Sequence, residues 1–410
     1  MPGRSAGRSI IRPVAIYLDH AATTPVRREV LEAMLPYLSE HFGNPSSIHA
    51  AGRRARQGLD EARETVAALI GAKPREIVFT ASGSEADNLA LKGAAWAASA
   101  RGRHVITSAI EHKAVLQSCA VLERQGFEVT YLPVDATGLV DPAAVEEAIT
   151  DRTVLVSVMA ASNEVGTIQP INEIGNVCRG RSVLYHVDAI QAAPFLPIDV
   201  DAWQVDLLSL SAHKVYGPRG VGALFIRQGT ALLPQMQGGA QERQRRAGTE
   251  NVAGVVGFAR AFALTAGDTS VRIEENARQS ALRDRLLAGL TQINGVRATG
   301  HPSERLPNSA SVVVQGVEGG DLVAALDLAG VEASTGSACT TGSVEPSHVL
   351  LALGLEEEVA RGSLRLTTGR DTTESDIESA LEIIGGCIIR MRAISPQVAI
   401  DAGEHAPAPA

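Results

Sequence analysis

Lys214 stands where an apolar run, Leu207-Leu208-Ser209-Leu210, gives way to Ser211-Ala212-His213-Lys214 and then to Val215-Tyr216-Gly217-Pro218. A lysine held in a tight turn beside hydroxyls and an imidazole can form a Schiff base with a carbonyl cofactor, while Ser211 and His213 donate to a phosphate. Asp188 closes a second apolar run, Tyr185-His186-Val187-Asp188-Ala189-Ile190-Gln191. A carboxylate at the end of a buried strand is costly unless a cation or several donors meet it. A pyridinium N–H would be such a partner, and so would an ordinary salt bridge. Gln191, three residues on, is placed to reach the phenolic oxygen of the same ring.

Further residue types suit the same chemistry. Gly83 and Ser84, in Ala81-Ser82-Gly83-Ser84-Glu85-Ala86-Asp87-Asn88, open a helix whose free N–H groups suit a phosphate, although Ser84 with Glu85 and Asp87 also reads as a plain N-cap. His112 falls at a helix start, where its ring can stack on a flat aromatic or simply be satisfied by its surroundings. Asn163 follows another strand and offers one amide hydrogen bond. Arg365 alternates with apolar residues in Ser363-Leu364-Arg365-Leu366-Thr367, suiting either two parallel hydrogen bonds to a carboxylate or an edge facing water. Cys339 lies among small and hydroxylated residues, Gly336-Ser337-Ala338-Cys339-Thr340-Thr341-Gly342. Its setting is unlike those of Cys119 and Cys178, whose helical surroundings predict buried, inert thiols. The basic run Gln241-Glu242-Arg243-Gln244-Arg245-Arg246 suits contact with an anion or nucleic acid, but the loop and helix start that follow it make a solvated loop the default reading.

These residues need elements to hold them. Strand-like runs at Glu76 to Thr80, His104 to Thr107 and Glu128 to Leu132 alternate with helical ones at Ser84 to Ala98, His112 to Gln125 and Pro142 to Ile149. More strands follow at Val154 to Met159, Val183 to Val187, Val205 to Leu210 and Gly222 to Ile226. Such alternation predicts an α/β fold with a mainly parallel sheet covered by helices, its ligands at the strand ends. After about residue 268 the texture changes to a charged helix, Arg272 to Leu290, strands Ser311 to Gln315 and Ser363 to Thr367, and a helix from Glu374 to Arg392. A second, smaller α+β domain is expected there.

The 410 residues are 45% hydrophobic and 20% charged, with net charge −9, which argues against a nucleic-acid or membrane surface as the main partner. The four cysteines, Cys119, Cys178, Cys339 and Cys387, form no Cys-x-x-Cys pair, so no zinc ribbon or disulfide framework is indicated and a reducing, cytoplasmic setting fits. No metal motif, P-loop or dinucleotide fingerprint is present. The N-terminal Arg/Ser-rich residues read as a disordered leader and the Ala/Pro-rich end as a tail.

Taken in order, the residues resemble the cysteine desulfurases of the NifS/IscS type, in the class V aminotransferase branch of fold-type I pyridoxal-phosphate enzymes. The resemblance runs from Tyr17-Leu18-Asp19-His20-Ala21-Ala22-Thr23-Thr24-Pro25 through Phe42-Gly43-Asn44-Pro45, His112, Asn163, Asp188, Gln191, Ser211 to Gly217, Arg246-Ala247-Gly248-Thr249-Glu250-Asn251, Cys339 and Arg365. It implies a seven-stranded, mainly parallel sheet in a large cofactor-binding domain, 24–268. A smaller α+β domain would comprise 14–23 and 269–395 and carry the Cys339 loop, with 1–13 and 396–410 as flexible tails. It further implies pyridoxal 5'-phosphate, with Lys214 as the Schiff-base lysine, Asp188 at the ring nitrogen, His112 stacked on the ring and Gln191 at the phenolic oxygen. Gly83, Ser84, Ser211 and His213 would then hold the phosphate, joined by Thr249 from the other subunit of a homodimer with shared active sites. Asn163 and Arg365 would bind the carboxylate of L-cysteine. Cys339, on what resembles the long-loop type, would take the sulfur as a persulfide for an iron-sulfur scaffold or another acceptor protein. Two departures, Ala212 where many relatives have glycine and Ser82-Gly83 in place of Gly-Ala, are small-for-small.

Overall fold

The computed structural model describes residues 15–336 and 345–394. The chain enters through a short strand, β1 (Ile16–Tyr17), and two helices, α1 (Arg28–Ser39) and α2 (Ala50–Leu69). Strand and helix then alternate: β2 (Ile77–Thr80), α3 (Gly83–Ala98), β3 (His104–Ser108), α4 (Lys113–Arg124), β4 (Glu128–Leu132), α5 (Pro142–Ala148) and β5 (Thr153–Ser157). The series ends with α6 (Ile171–Gly180), β6 (Leu184–Asp188), β7 (Leu207–Ser211) and β8 (Gly222–Ile226).

Strands β2 to β8 form one seven-stranded sheet in the order β2-β8-β7-β6-β5-β3-β4. It is parallel except for β8, which runs against both β2 and β7. Residues of β3, β5 and β7 are buried throughout, because helices cover both faces; that is why these strands appear in the sequence as apolar runs without alternation. One face packs Ile106, Val156, Val187 and Leu208 against Phe258 and Phe262. The other packs Val105, Leu155, Leu207 and Leu224 against Leu89, Ala90 and Ala94 of α3.

Past α7 (Val252–Ala266) and α8 (Thr269–Thr291) come β9 (Val296–Ala298), β10 (Ser309–Val314), α9 (Gly319–Leu328) and β11 (Val331–Glu332). Helices α10 (His348–Ala352) and α11 (Glu357–Arg361), strand β12 (Ser363–Thr367) and helix α12 (Glu374–Ile394) follow. Here β12, β10 and β9 make an antiparallel sheet, and β11 pairs in parallel with β1. Leu18 joins Leu282, Leu286, Val312, Leu364 and Ile384 in a separate apolar cluster. The Thr367 amide donates to the Leu18 carbonyl at 2.7 Å, so the segment after β1 is carried from this second unit across to the end of the main sheet.

Expected and observed spans agree to within a few residues. The strand expected over Val154 to Met159 ends at Ser157, because the Met159 amide leaves the ladder to donate to Glu111 Oε1 at 3.0 Å. No helix among the described residues is long and apolar enough to cross a membrane.

Candidate active site

Ala21, Ala22, Gly83, Ser84, His112, Asn163, Asp188, Gln191, Ser211, His213, Lys214 and Arg365 converge on one cleft of about 380 Å3. It lies at the carboxyl ends of β3, β5, β6 and β7, where open α/β sheets leave a crevice. A larger groove of about 980 Å3, beside Pro197 and Trp203, contains none of the residues expected at the site.

Lys214 ends a 3-10 turn, Ala212–Lys214, directly after β7. Tyr216 then takes a left-handed conformation with φ of 64°, held by its amide donating to Thr24 Oγ1 at 2.9 Å. This turn aims the lysine back over the cleft, where Nζ donates to the carbonyls of Ala21 and Ala22, the latter at 2.8 Å. His213 Nδ1 lies 3.2 Å from Thr23 Oγ1. Burial, then the charges of Lys214 and Arg219, push the His213 imidazole down to about 4. It is therefore neutral near pH 7 and can donate to a phosphate without adding charge.

Asp188, at the end of β6, accepts the Ile190 amide on Oδ1 at 2.9 Å. Burial raises its carboxyl above the ordinary range, while His112, the Ile190 amide and Lys214 oppose the rise. A pyridinium nitrogen lodged here would favour the ionised form.

The N-terminus of α3 supplies another wall. The sequence suggested Ser84 as a possible cap, but the cap is Ser82, whose hydroxyl accepts the Glu85 amide at 3.1 Å. Asp87 is not part of the cap either, since it is wholly buried against the sheet. Gly83 is needed because a Cβ there would sit 2.2 Å from Ile190 Cδ1 and 3.2 Å from Ser211 Cβ. Its absence lets the helix end approach the strand ends closely enough to share one anion.

His112 is the N-cap of α4, its Nδ1 accepting the Ala114 amide at 3.1 Å. That bond helps to fix the ring at the start of α4. Gln191 Nε2 donates to the Ala21 carbonyl at 2.8 Å. Arg365 is 2% exposed, which removes the alternative of an edge arginine facing water. Its Nη1 donates to the carbonyls of Asn163 at 2.8 Å and Gly336 at 3.2 Å, and its Nη2 to Asp19 Oδ1 at 2.7 Å. Nε has no partner.

Of the remaining expected participants, one is placed away from this cleft and one is not described. Thr249 is exposed and lines a small cavity with Phe79, Arg246 and Glu250. Cys339 lies outside the described residues; Gly336 before it and His348 after it both line the cleft. The basic run is more than a solvated loop. Arg246 pairs with Glu85 at 2.8 Å, and Glu242 is buried against Arg63 at 2.6 Å.

Glu164 and His348 line the cleft, and Glu111 and Asp19 contact its residues, yet sequence reasoning assigned a role to none of the four. Glu164 accepts Ser347 Oγ at 2.5 Å, and His348 Nε2 is 3.0 Å from the Glu111 carbonyl. Burial pushes the Glu111 carboxyl up to about 8, against hydrogen bonds from Ser108 and Met159. Their only signal is three-dimensional.

The residues present fit a planar, cationic, phosphate-bearing ring: a buried carboxylate at the floor, a histidine at a wall, an amine in reach, and hydroxyls with a helix end where the phosphate would lie. Comparison with known proteins agrees. The chain is 50% identical over 382 residues to the cysteine desulfurase IscS of Methanosarcina thermophila, covering 93% of this chain and 94% of that one. A solved NifS-like protein superposes with a TM-score of 0.86 at 37% identity, covering 92% of this chain and all of the other. SspA in complex with cysteine superposes with a TM-score of 0.76 at 39% identity, covering 86% and 98% respectively. The model of the class-V aminotransferases matches residues 16–379. With that match spanning all three described sheets and the whole cleft, the chain belongs to the class-V aminotransferase family.

Proposed function

We propose that this chain is a pyridoxal-phosphate-dependent cysteine desulfurase that turns L-cysteine into L-alanine and leaves the sulfur on Cys339. The observation that carries the reading is the single cleft joining Lys214, Asp188, His112 and Arg365, with both flanks of the Cys339 segment on its wall. The cofactor, when bound, supplies an electron sink that lets the substrate's Cα–H and C–S bonds break.

Gly83, Ser84, Ser211 and His213 hold the phosphate. Asp188 would keep the ring nitrogen protonated, His112 would stack on the ring, and Gln191 would meet the phenolic oxygen. Lys214 Nζ would be the amine that holds the cofactor and would move the substrate α-proton. Arg365 and Asn163 orient the substrate carboxylate. For Arg365 this means exchanging its bond to Asp19 for one to the substrate. In the net reaction the substrate C–S bond breaks, its sulfur joins Cys339 Sγ as a persulfide, and the thiol proton ends on the carbon that leaves as alanine.

We also read 24–268 as the cofactor-holding domain and 14–23 with 269–395 as the smaller one, a division supported by their separate apolar clusters. A homodimer is supported by exposed apolar side chains on α1 and in the segment after it: Leu31, Leu35, Leu38, Phe42 and Ile48. In such a dimer the exposed Thr249 serves the partner's phosphate. A sulfur-acceptor protein takes the persulfide onward. Buried, unpaired Cys119, Cys178 and Cys387 support a reducing, cytoplasmic setting.

Cys339→Ser tests the reading directly: the variant should bind cofactor and cysteine, yet show no added sulfur by mass spectrometry and no alanine release above background. Alanine formed at the parent rate with a thiol reductant present would remove Cys339 from the reaction. Lys214→Ala should lose the lysine-linked absorbance band of the bound cofactor.

A further inference from the structure

A polar stripe crosses the otherwise apolar sheet face beneath α3. Register pairs Thr107 with Ser157, Ser157 with His186 and Asp188 with Ser209, and His186 is two residues before Asp188. Paired residues and residues two apart share a face, so Ser157, His186, Asp188 and Ser209 point the same way, toward α3. Asp87 of α3 descends onto this stripe. Its side chain is 0% exposed, and among the described residues neither carboxylate oxygen makes a well-formed hydrogen bond, although the Ser209 hydroxyl is near enough to act on the carboxyl.

His186 is the basic group beside it, with Nε2 at 3.8 Å from Asp87 Oδ1, beyond hydrogen-bond reach. Both ring nitrogens are engaged by hydroxyls, Nδ1 by Ser157 at 2.8 Å and Nε2 by Ser209 at 3.0 Å. Burial pushes this imidazole down to about 3, so it brings no positive charge. The other ionisable groups facing the stripe are Asp188 at its pocket end and Glu111 beyond β3, both acids, with His112 and Lys214 acting on Asp188 from the cleft. Two ionised carboxylates with no cation between them cannot share such a site, whereas Asp188 has donors and a cleft that admits a cationic ring.

We infer that Asp87 is a neutral carboxylic acid in the folded protein and is the positioning residue that leaves Asp188 the anion on the floor of the cleft. The inference rests on the proposed role of Asp188 at the cofactor ring. Burial, and next the charge of Asp188, drive the Asp87 carboxyl well above its usual range, with Ser209 opposing. His186 and the hydroxyls around Asp87 are then neutral, Asp188 carries the charge, and the proton belonging to the pair resides on Asp87.

Asp87→Asn exchanges one neutral, isosteric group for another. Infrared difference spectra of parent against Asp87→Asn, recorded at pH 7 on holoenzyme and again without cofactor, should show loss of a protonated-carboxyl C=O stretch. Loss of a carboxylate band instead would overturn the inference. A second reading is the thermal midpoint of the variant minus that of the parent. The native parent binds more protons here than its unfolded chain, so the difference should move in the variant's favour as pH rises from about 4 to 8. A pH-independent difference would overturn the inference. In the holoenzyme, the absorbance titration of the cofactor should keep its midpoint in Asp87→Asn and move in Asp188→Asn; a shift of about one unit in Asp87→Asn would show a charge on Asp87. A parent lacking the lysine-linked band would sink the proposed function, while the cofactor-free infrared result would still decide Asp87.

Discussion

Glu242→Gln tests how the loop that leads to Thr249 is held. Glu242, Arg243 and Gln244 adopt left-handed φ of 45°, 57° and 64°, a region that costs residues with a Cβ on the order of 1 kcal/mol each. Three such residues in succession persist only if the surroundings fix them. The fixing contact is a buried fork: Arg63 Nη1 and Nη2 donate to the two Glu242 oxygens at 2.8 and 2.6 Å, and the Phe79 amide adds a third bond at 3.0 Å. The two side chains are only 4% and 2% exposed. Glutamine preserves shape and one carbonyl but leaves the guanidinium uncompensated, which for a buried pair costs about 3–5 kcal/mol, against at most about 1 kcal/mol for an exposed pair. The Phe79 ring, 4.7 Å from the guanidinium, and the Ile77 carbonyl retain part of its solvation, so the lower end of the range is expected. Urea unfolding of the holoenzyme at fixed protein and cofactor concentration reads this loss. The double variant Arg63→Met with Glu242→Leu should recover most of it, since no charge is then orphaned. A loss under about 1 kcal/mol, or a double variant as unstable as the sum of the singles, would refute the reasoning.

Other expectations follow from the same geometry. Arg365→Lys should raise KM for cysteine by roughly tenfold or more while changing kcat less, because an ammonium cannot replace a planar fork; an unchanged KM would remove Arg365 from substrate binding. Co-expressing Lys214→Ala with Thr249→Ala should yield mixed dimers with one intact site and measurable alanine release. Activity no higher than that of either variant alone would argue against shared sites. His186 and His213 have folded values of about 3 and 4 against an ordinary 6.5, so the unfolded chain binds more protons between those limits. Stability should fall as pH drops below about 6.5, and His186→Asn should flatten the decline in thermal midpoint; an identical slope would show that His186 does not titrate on unfolding.

The seven-stranded sheet was legible because β3, β5 and β7 are buried apolar runs bounded by polar strand ends, and Glu128–Leu132 and Gly222–Ile226 emerged with the bounds expected. Their chemistry was equally local: Ser211 and Lys214 follow β7, and Asp188 ends β6. Short β1 and β11 had no such signal, since two residues carry no periodicity and the pairing Ile16↔Val331 spans most of the chain. Cys119 and Cys178 are buried, as their helical settings suggested, with thiols pushed up to about 12.

By itself the sequence determined which residue types could hold a phosphate, a pyridinium and a carboxylate, and that strand ends would present them. Only the tertiary structure decided their charge and company. Asp87 and Asp188 are both aspartates in ordinary sequence surroundings, yet one ends in a sealed polar stripe and the other at a cleft beside His112 and Lys214. Arg365 carries the same guanidinium in either reading of its strand, but Asp19, drawn over by β1, supplies its counterion from almost the other end of the chain. Side-chain identity is local, whereas desolvation and electrostatic partnership depend on every element packed around the group, and those are set by the fold.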